Sequence, residues 1–225
     1  MHLVIINCSP RTASRSNTAR IIEQFQVGYA KAGGTSELHH LSRRSSWGSI
    51  RAAFDNNNII VFALPLYIES VPGIMLEFLE TLSPKAHAEG VVATRIGFIL
   101  QSGFPEASQL RCGEQLLEKL PGYLNCEYAG TLIKGNMFAA SLLDSEAAET
   151  MLYPFATMGE EFARSNSFDK KKATEFAKPE YFSKGYILFF KALLGPVNRL
   201  ATSIMAKRRG LQGSLKDKPY QSYID

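Results

Sequence analysis

Short apolar runs alternate with helical segments over the first 165 residues, and this alternation constrains the fold more than any other feature. The first run, residues 3–6, is rich in β-branched side chains and bounded by polar residues, which is typical of a strand buried on both faces. A helical pattern over 17–27 follows, and Gly33-Gly34 marks its end. Such units predict a parallel sheet with helices on both faces.

The strand and helix unit recurs along the chain. Further strands are predicted at 37–41, 59–64, 96–100 and 128–133, and further helices at 50–54, 74–79, 107–120 and 146–162. Five strands suit the α/β, doubly wound, flavodoxin-like sheet of order 2-1-3-4-5 better than a six-stranded dinucleotide-binding sheet. Ligands bind beyond the carboxyl ends of such strands, so function is expected in the loops after strands one, three and four.

Charge divides the chain into two parts. Residues 164–225 hold 13 basic and 5 acidic side chains, so they carry +8, whereas the preceding residues carry −4 and the whole chain +4. We predict a flavodoxin-like domain over 1–165 and a basic helical extension over 166–225. A total of +4 without a basic motif argues against nucleic acid as a partner. Three cysteines without a CxxC pair, and no signal-peptide pattern, favour the cytoplasm.

The loop after the first strand combines hydroxyl side chains, two arginines and an asparagine just before a helix. A helix N-terminus offers free N–H groups and partial positive charge, which suit a phosphate. The loop has neither a Walker motif nor Gly-x-Gly-x-x-Gly, which favours the terminal monophosphate of FMN over a pyrophosphate. The alternative is a simple helix cap with solvated arginines. The candidate phosphate-binding residues are Ser9, Arg11, Ser16, Asn17 and Thr18.

Three short segments carry a family resemblance. Asn-Cys-Ser-Pro-Arg at 7–11 with Ser-Asn-Thr at 16–18 resembles the phosphate loop of the NADPH-dependent FMN reductase family, within the flavodoxin-like superfamily. Pro-Leu-Tyr at 65–67 with Pro72-Gly73, and Gln-Ser-Gly-Phe at 101–104, look like that family's isoalloxazine-binding segments. The candidate ring-binding residues are therefore Pro65, Leu66, Tyr67, Ile68, Gln101, Ser102, Gly103 and Phe104.

The resemblance covers residues 1 to about 165 and implies an NAD(P)H-dependent oxidoreductase. FMN is then the cofactor, NADPH or NADH the co-substrate, and a homodimer the expected assembly. Hydride would pass from NAD(P)H through flavin N5 to a small acceptor such as a quinone, azo, nitro or flavin compound. The alternative is an FMN-binding electron carrier or redox-responsive binding protein without reductase turnover.

Catalytic side chains are not expected, because the cofactors carry hydride transfer. The sequence has no Gly-x-Ser-x-Gly elbow and no His-Glu-x-x-His motif. His39 and His40 are neighbours on a predicted strand, so their rings point to opposite faces and no metal site is predicted. Cys8 is either a reactive thiol beside a helix N-terminus or a small buried residue, and we favour the second interpretation.

Residues 181–206 are strongly apolar, with Lys184, Lys191 and Arg199 among them. These charges, and a helix break expected at Gly195-Pro196, argue against a transmembrane segment. Packing on this domain or on a partner subunit is the simplest interpretation. A peripheral helix attracted to anionic lipid and a lid over the flavin are the alternatives.

Overall fold

The computed structural model describes residues 2–86, 92–208 and 210, in two compact units divided after residue 181. The first unit contains a five-stranded, all-parallel sheet in the order β2-β1-β3-β4-β5. The strands are β1 (His2–Asn7), β2 (Thr35–His40), β3 (Ile59–Pro65), β4 (Arg95–Gln101) and β5 (Glu127–Lys134). The predicted fold class and strand order are confirmed.

Helices cover both faces of this sheet. They are α1 (Asn17–Lys31), α2 (Trp47–Asn56), α3 (Gly73–Leu79), α4 (Arg111–Tyr123), α5 (Ser145–Leu152), α6 (Pro154–Ser165) and α7 (Lys170–Ala177). The single helix predicted over 146–162 is two helices, because Pro154 lacks the N–H that would continue the bonding of α5. The helix predicted from residue 107 begins as a 3-10 turn, and its α-helical part starts at Arg111.

Alternate side chains of the buried strands contribute to two apolar layers. Val4, Ile60 and Phe62 belong to the layer that also contains residues of α2, α3 and α4. Leu3 and Val61 belong to the opposite layer, with residues of α1, α5 and α6. The continuous apolar runs of the sequence arise because both faces of these strands are buried.

Phe168 and α7 pack against β5, and the first unit continues to residue 181, beyond the predicted boundary at 165. The Lys134 ammonium donates to the Phe176 carbonyl oxygen at 2.7 Å and lies 5.0 Å from the centre of its ring. Arg111 donates to both carboxylate oxygens of Glu180, at 3.1 and 2.6 Å. The folded unit therefore includes residues 164–181, which hold five of the basic and three of the acidic side chains of the segment 164–225.

The second unit contains α8 (Lys184–Arg208). The break predicted at Gly195-Pro196 is wrong, since the helix continues through both residues. A proline removes one backbone donor, and the hydrogen bonds on either side maintain the helix. Within the described residues, no helix combines the length and the apolarity needed to cross a membrane. The rest of the predicted extension, residue 209 and residues 211–225, lies outside the described part of the chain.

Backbone contact between α1 and α6 depends on two glycines. A Cβ atom at Gly28 would lie 1.7 Å from the Ala156 carbonyl oxygen, and one at Gly159 would lie 2.1 Å from the Phe25 carbonyl oxygen. Neither neighbour is a flexible side chain that could turn away. The two helices can approach this closely only because both positions lack a side chain.

We expect Gly28→Ala to lower the free energy of unfolding by about 3 kcal/mol, because the two helices would have to separate. Gly48→Ala in α2 is the matched control, since a Cβ atom there meets nothing within 4 Å. The control should leave stability unchanged or raise it by up to about 1 kcal/mol, because alanine is the better helix former. Urea unfolding of both variants measures the difference, and equal midpoints would contradict the contact.

Candidate functional site

A cavity of about 170 Å³ lies beyond the carboxyl ends of β1, β3 and β4. Eleven of the thirteen candidate residues line it, and Ile68 and Phe104 do not. The lining residues are Ser9, Arg11, Ser16, Asn17, Thr18, Pro65, Leu66, Tyr67, Gln101, Ser102, Gly103 and Phe138. Three loops that are far apart in sequence therefore meet at the crevice where the sheet changes winding direction.

The start of α1 forms one side of the cavity. Ser16 is the N-cap, and its hydroxyl accepts from the Ala19 N–H at 3.3 Å. The N–H groups of Asn17 and Thr18 lie in the first turn, where an α-helix has no carbonyl partner to offer. Ser16 both caps the helix and lines the cavity, so the two interpretations of this residue are compatible.

Local hydrogen bonds shape the loop that precedes α1. The Asn7 side-chain oxygen accepts from the Ser9 N–H at 2.9 Å, and the Ser9 hydroxyl accepts from the Arg11 N–H at 3.2 Å. Ser9 is buried at the base of the loop, whereas Arg11 is exposed at its edge. The loop therefore places a hydroxyl deep in the cavity and a positive charge at its rim.

Side chains connect this region to the ends of β4 and β5. The Gln101 amide donates to the Thr18 hydroxyl at 3.2 Å, and the Asn17 amide donates to the Met137 carbonyl oxygen at 2.9 Å. The Met137 N–H in turn donates to the Ser102 carbonyl oxygen at 2.9 Å. The loops after β1, β4 and β5 are thus hydrogen-bonded to one another.

The loop after β5 supplies a lining residue that sequence reasoning missed. Phe138 is 59% exposed at the mouth of the cavity, and a Cβ atom at Gly103 would lie 3.3 Å from the Phe138 Cβ. The sequence prediction included only the loops after strands one, three and four, and not the loop after strand five. The parallel sheet itself indicates that the loop after β5 lies near the site, because the carboxyl ends of all its strands lie at the same edge.

A tight turn follows Pro65 and holds the other aromatic residue of the mouth. The Tyr67 N–H donates to the Ser70 carbonyl oxygen at 2.9 Å, and Tyr67 itself is 43% exposed. Ile68 lies at the tip with φ of 60°, a conformation that costs a β-branched residue about 1–2 kcal/mol. It is outside the cavity because the turn points it to solvent.

Phe104, which the sequence grouped with Gly103 as a ring-binding residue, likewise lies outside the cavity lining. Its N–H donates to the Ser102 hydroxyl at 3.1 Å, and its carbonyl oxygen accepts from the Asn136 N–H at 2.7 Å. These bonds turn the chain away from the cavity and join the loops after β4 and β5.

Cys8 is fully buried beneath the loop, and burial raises the pKa of its thiol. Its N–H donates to the Ala63 carbonyl oxygen at 2.8 Å, which extends the pairing of β1 with β3. The structure therefore agrees with the small buried residue that the sequence favoured. In the part of the chain that the structure describes, no cluster of side chains is suited to hold a metal ion.

We expect Cys112 to react first with a thiol reagent at mildly alkaline pH, because it is the exposed cysteine of the three. Burial raises the pKa of Cys126 to about 11, so its reaction should be slow and should accelerate as pH approaches that value. Cys8 should react only after unfolding. Peptide mass spectrometry after timed alkylation identifies the order, with Cys112→Ser as the control that removes the fast phase. Rapid labelling of Cys8 in the folded protein would contradict its burial.

No protein-family model and no curated protein sequence matches the chain. Solved structures do match. An FMN-dependent NADH-azoreductase from Bacillus anthracis, in complex with FMN, is 16% identical over 74% of this chain and 99% of its own, with a TM-score of 0.53. An NAD(P)H:quinone oxidoreductase from Methanothermobacter marburgensis is 15% identical over 72% and 96%, with a TM-score of 0.57.

RosB, solved with 8-demethyl-8-formylriboflavin-5'-phosphate, is a third similar structure. It is 12% identical over 81% of this chain and 90% of its own, with a TM-score of 0.55. All three likenesses extend over most of both chains at low identity, so they establish architecture. Together with the strand order 2-1-3-4-5, they show that the chain has the flavodoxin-like fold, which it shares with FMN-dependent azoreductases and quinone oxidoreductases.

Proposed function

We propose that the cavity binds FMN and that the protein is an NAD(P)H-dependent oxidoreductase of the NADPH-dependent FMN reductase family. The observation that carries the proposal is the meeting of eleven predicted residues, from three separate loops, around one cavity at the N-terminus of α1. Solved reductases of the same fold that depend on FMN support it. The small acceptor, a quinone, azo, nitro or flavin compound, and the homodimer belong to the proposal as well.

The phosphate end of FMN fits the side of the cavity formed by α1. Hydroxyl groups of Ser9, Ser16 and Thr18 line this side, and the first-turn N–H groups face the same space. The helix N-terminus attracts an anion, and Arg11 at the rim adds a full positive charge. None of the twelve lining residues is acidic, so nothing there repels a phosphate.

The flat ring of FMN fits the mouth. The cavity, about 170 Å³, is smaller than a complete cofactor site, so only part of the molecule would be enclosed. Tyr67 and Phe138 offer exposed aromatic surfaces where the remainder would lie. Because Gly103 has no side chain, the backbone there can approach the flavin ring closely. The N–H groups of Gly103 and its neighbours are then suitable donors to the polar edge of the ring.

When bound, FMN supplies two-electron chemistry between a nicotinamide and the acceptor. The protein's residues bind and orient the two partners and exclude water from one face of the ring. Among the described residues that line the cavity, only Arg11 and Tyr67 have ionisable side chains. For a quinone, NAD(P)H would supply a hydride and solvent one proton, so that NAD(P)⁺ and the hydroquinone are formed.

Anaerobic titration of the FMN-loaded protein with NADPH and with NADH tests the proposal. We expect FMN to bind stoichiometrically and its visible absorbance band to bleach with at least one nucleotide. A quinone added afterwards should restore the band. FMN that binds but stays oxidised with both nucleotides would support the electron carrier instead, and failure to bind FMN would overturn the proposal altogether.

Arg11→Gln should weaken FMN binding about tenfold, or about 1.4 kcal/mol, because a charge at the phosphate is lost. Riboflavin, which has no phosphate, should bind wild-type protein and variant equally. Arg15→Gln is the matched control, since Arg15 is exposed on the same loop but does not line the cavity. Fluorescence quenching of each flavin measures both affinities. Equal losses of FMN affinity in the two variants would mean that Arg11 acts only through the overall positive charge of the loop and does not contact the phosphate.

A further inference from the structure

Helix α8 is long, positively charged and without acidic residues. Its 25 residues include Lys184, Lys191, Arg199, Lys207 and Arg208, and the stretch contains no Asp or Glu. At 1.5 Å per residue the helix is about 37 Å long. A helix of one sign of charge has no internal ion pairs, so its charges are available to a partner of opposite sign.

The spacing of residues gives α8 two faces. Tyr186, Phe190, Leu193, Leu200 and Ile204 follow one another at intervals of three, four or seven residues, which places them on one side. The opposite side carries Lys184, Lys191, Asn198 and Thr202, again at intervals of seven and four. Leu188 is an exception on the polar side, and Arg208 at the end of the helix lies on the apolar side.

The apolar face is exposed within the described residues. Leu193 is 55% exposed, Leu200 64% and Ile204 44%. Near the start of the helix, the ring of Tyr186 stacks on that of Phe182 at 4.6 Å and meets that of Phe190 at a tilt, with the centres 4.5 Å apart. Several large apolar side chains exposed on one side of a helix indicate an interaction surface.

We propose that α8 binds the surface of a membrane rich in anionic phospholipid, lying along the interface with its apolar face in the boundary of the acyl chains. Lys184 and Lys191 would then face the headgroups, while Lys207 and Arg208 would anchor the end of the helix. The cationic helix and the anionic surface are complementary in charge, and the apolar face gains from burial.

Two observations favour lipid over a helical protein partner or a membrane span. A coiled coil needs charged residues flanking its apolar seam, but here the flanking positions include Ile187, Phe189 and Leu194. The apolar face is therefore broader than a two-stranded seam. No described helix is long and apolar enough to cross a membrane.

Sedimentation with vesicles tests the proposal on the full chain. Wild-type protein should pellet at low salt with vesicles of phosphatidylcholine and phosphatidylserine, and much less with phosphatidylcholine alone. Leu193→Glu and Asn198→Glu are a matched pair, because each introduces one negative charge, the first on the apolar face of α8 and the second on the polar face. We expect Asn198→Glu to lower partitioning about fivefold, through charge alone. Leu193→Glu should lower it about tenfold further, through loss of apolar burial.

Thermal unfolding of the first unit should be the same in wild type and both variants, which excludes a general loss of structure. Absence of wild-type binding to the anionic vesicles would overturn the proposal, as would equal binding to both kinds of vesicle. Equal effects of the two variants would overturn the assignment of faces. If vesicles are not bound and Leu193→Glu dissociates a dimer in analytical ultracentrifugation, the face belongs to a second copy of the chain.

Discussion

Parallel pairing of β1 with β3 is the constraint on which the rest of the molecule depends. The pairing runs from Val4 opposite Ile60 to Asn7 opposite Ala63, and the chain winds in opposite directions on either side of it. Because all strands point the same way, the loops that follow them meet at a single edge of the sheet. The N-terminus of α1 lies at this edge, so the position of the candidate phosphate site follows from how the strands pair.

Hydrogen bonds from short polar side chains around the N-terminus of α1 give the cavity a defined shape. The side-chain amides of Gln101 and Asn17 each donate a hydrogen bond to a neighbouring segment, and the Ser16 hydroxyl caps α1. Bonds of this kind hold the lining in place without a ligand, which lowers the entropy lost when one binds. Arg11 and the two aromatic residues of the mouth are left exposed, and these are the groups able to adapt to a bound molecule.

Much of this architecture could be predicted from the sequence, because the apolar runs of β1, β3 and β4 and the polar loops after them are local patterns. What escaped prediction depends on contacts between distant residues. Arg111 and Glu180 are 69 residues apart, and their ion pair extends the folded unit beyond the expected boundary. Phe138 enters the cavity only because the loops after β4 and β5 are bonded together. The continuous helix through Pro196 shows that a local propensity can also be outweighed.

The glycine contact between α1 and α6 has a consequence for the depth of the cavity. Where side chains separate two helices, small slides can be absorbed by changes of rotamer, but here a carbonyl oxygen rests against bare backbone. Sliding α1 along its axis would carry Gly28 away from Ala156 and bring a Cβ atom into its place. The pair therefore has a single register, which fixes where the N-terminus of α1 lies beside the cavity.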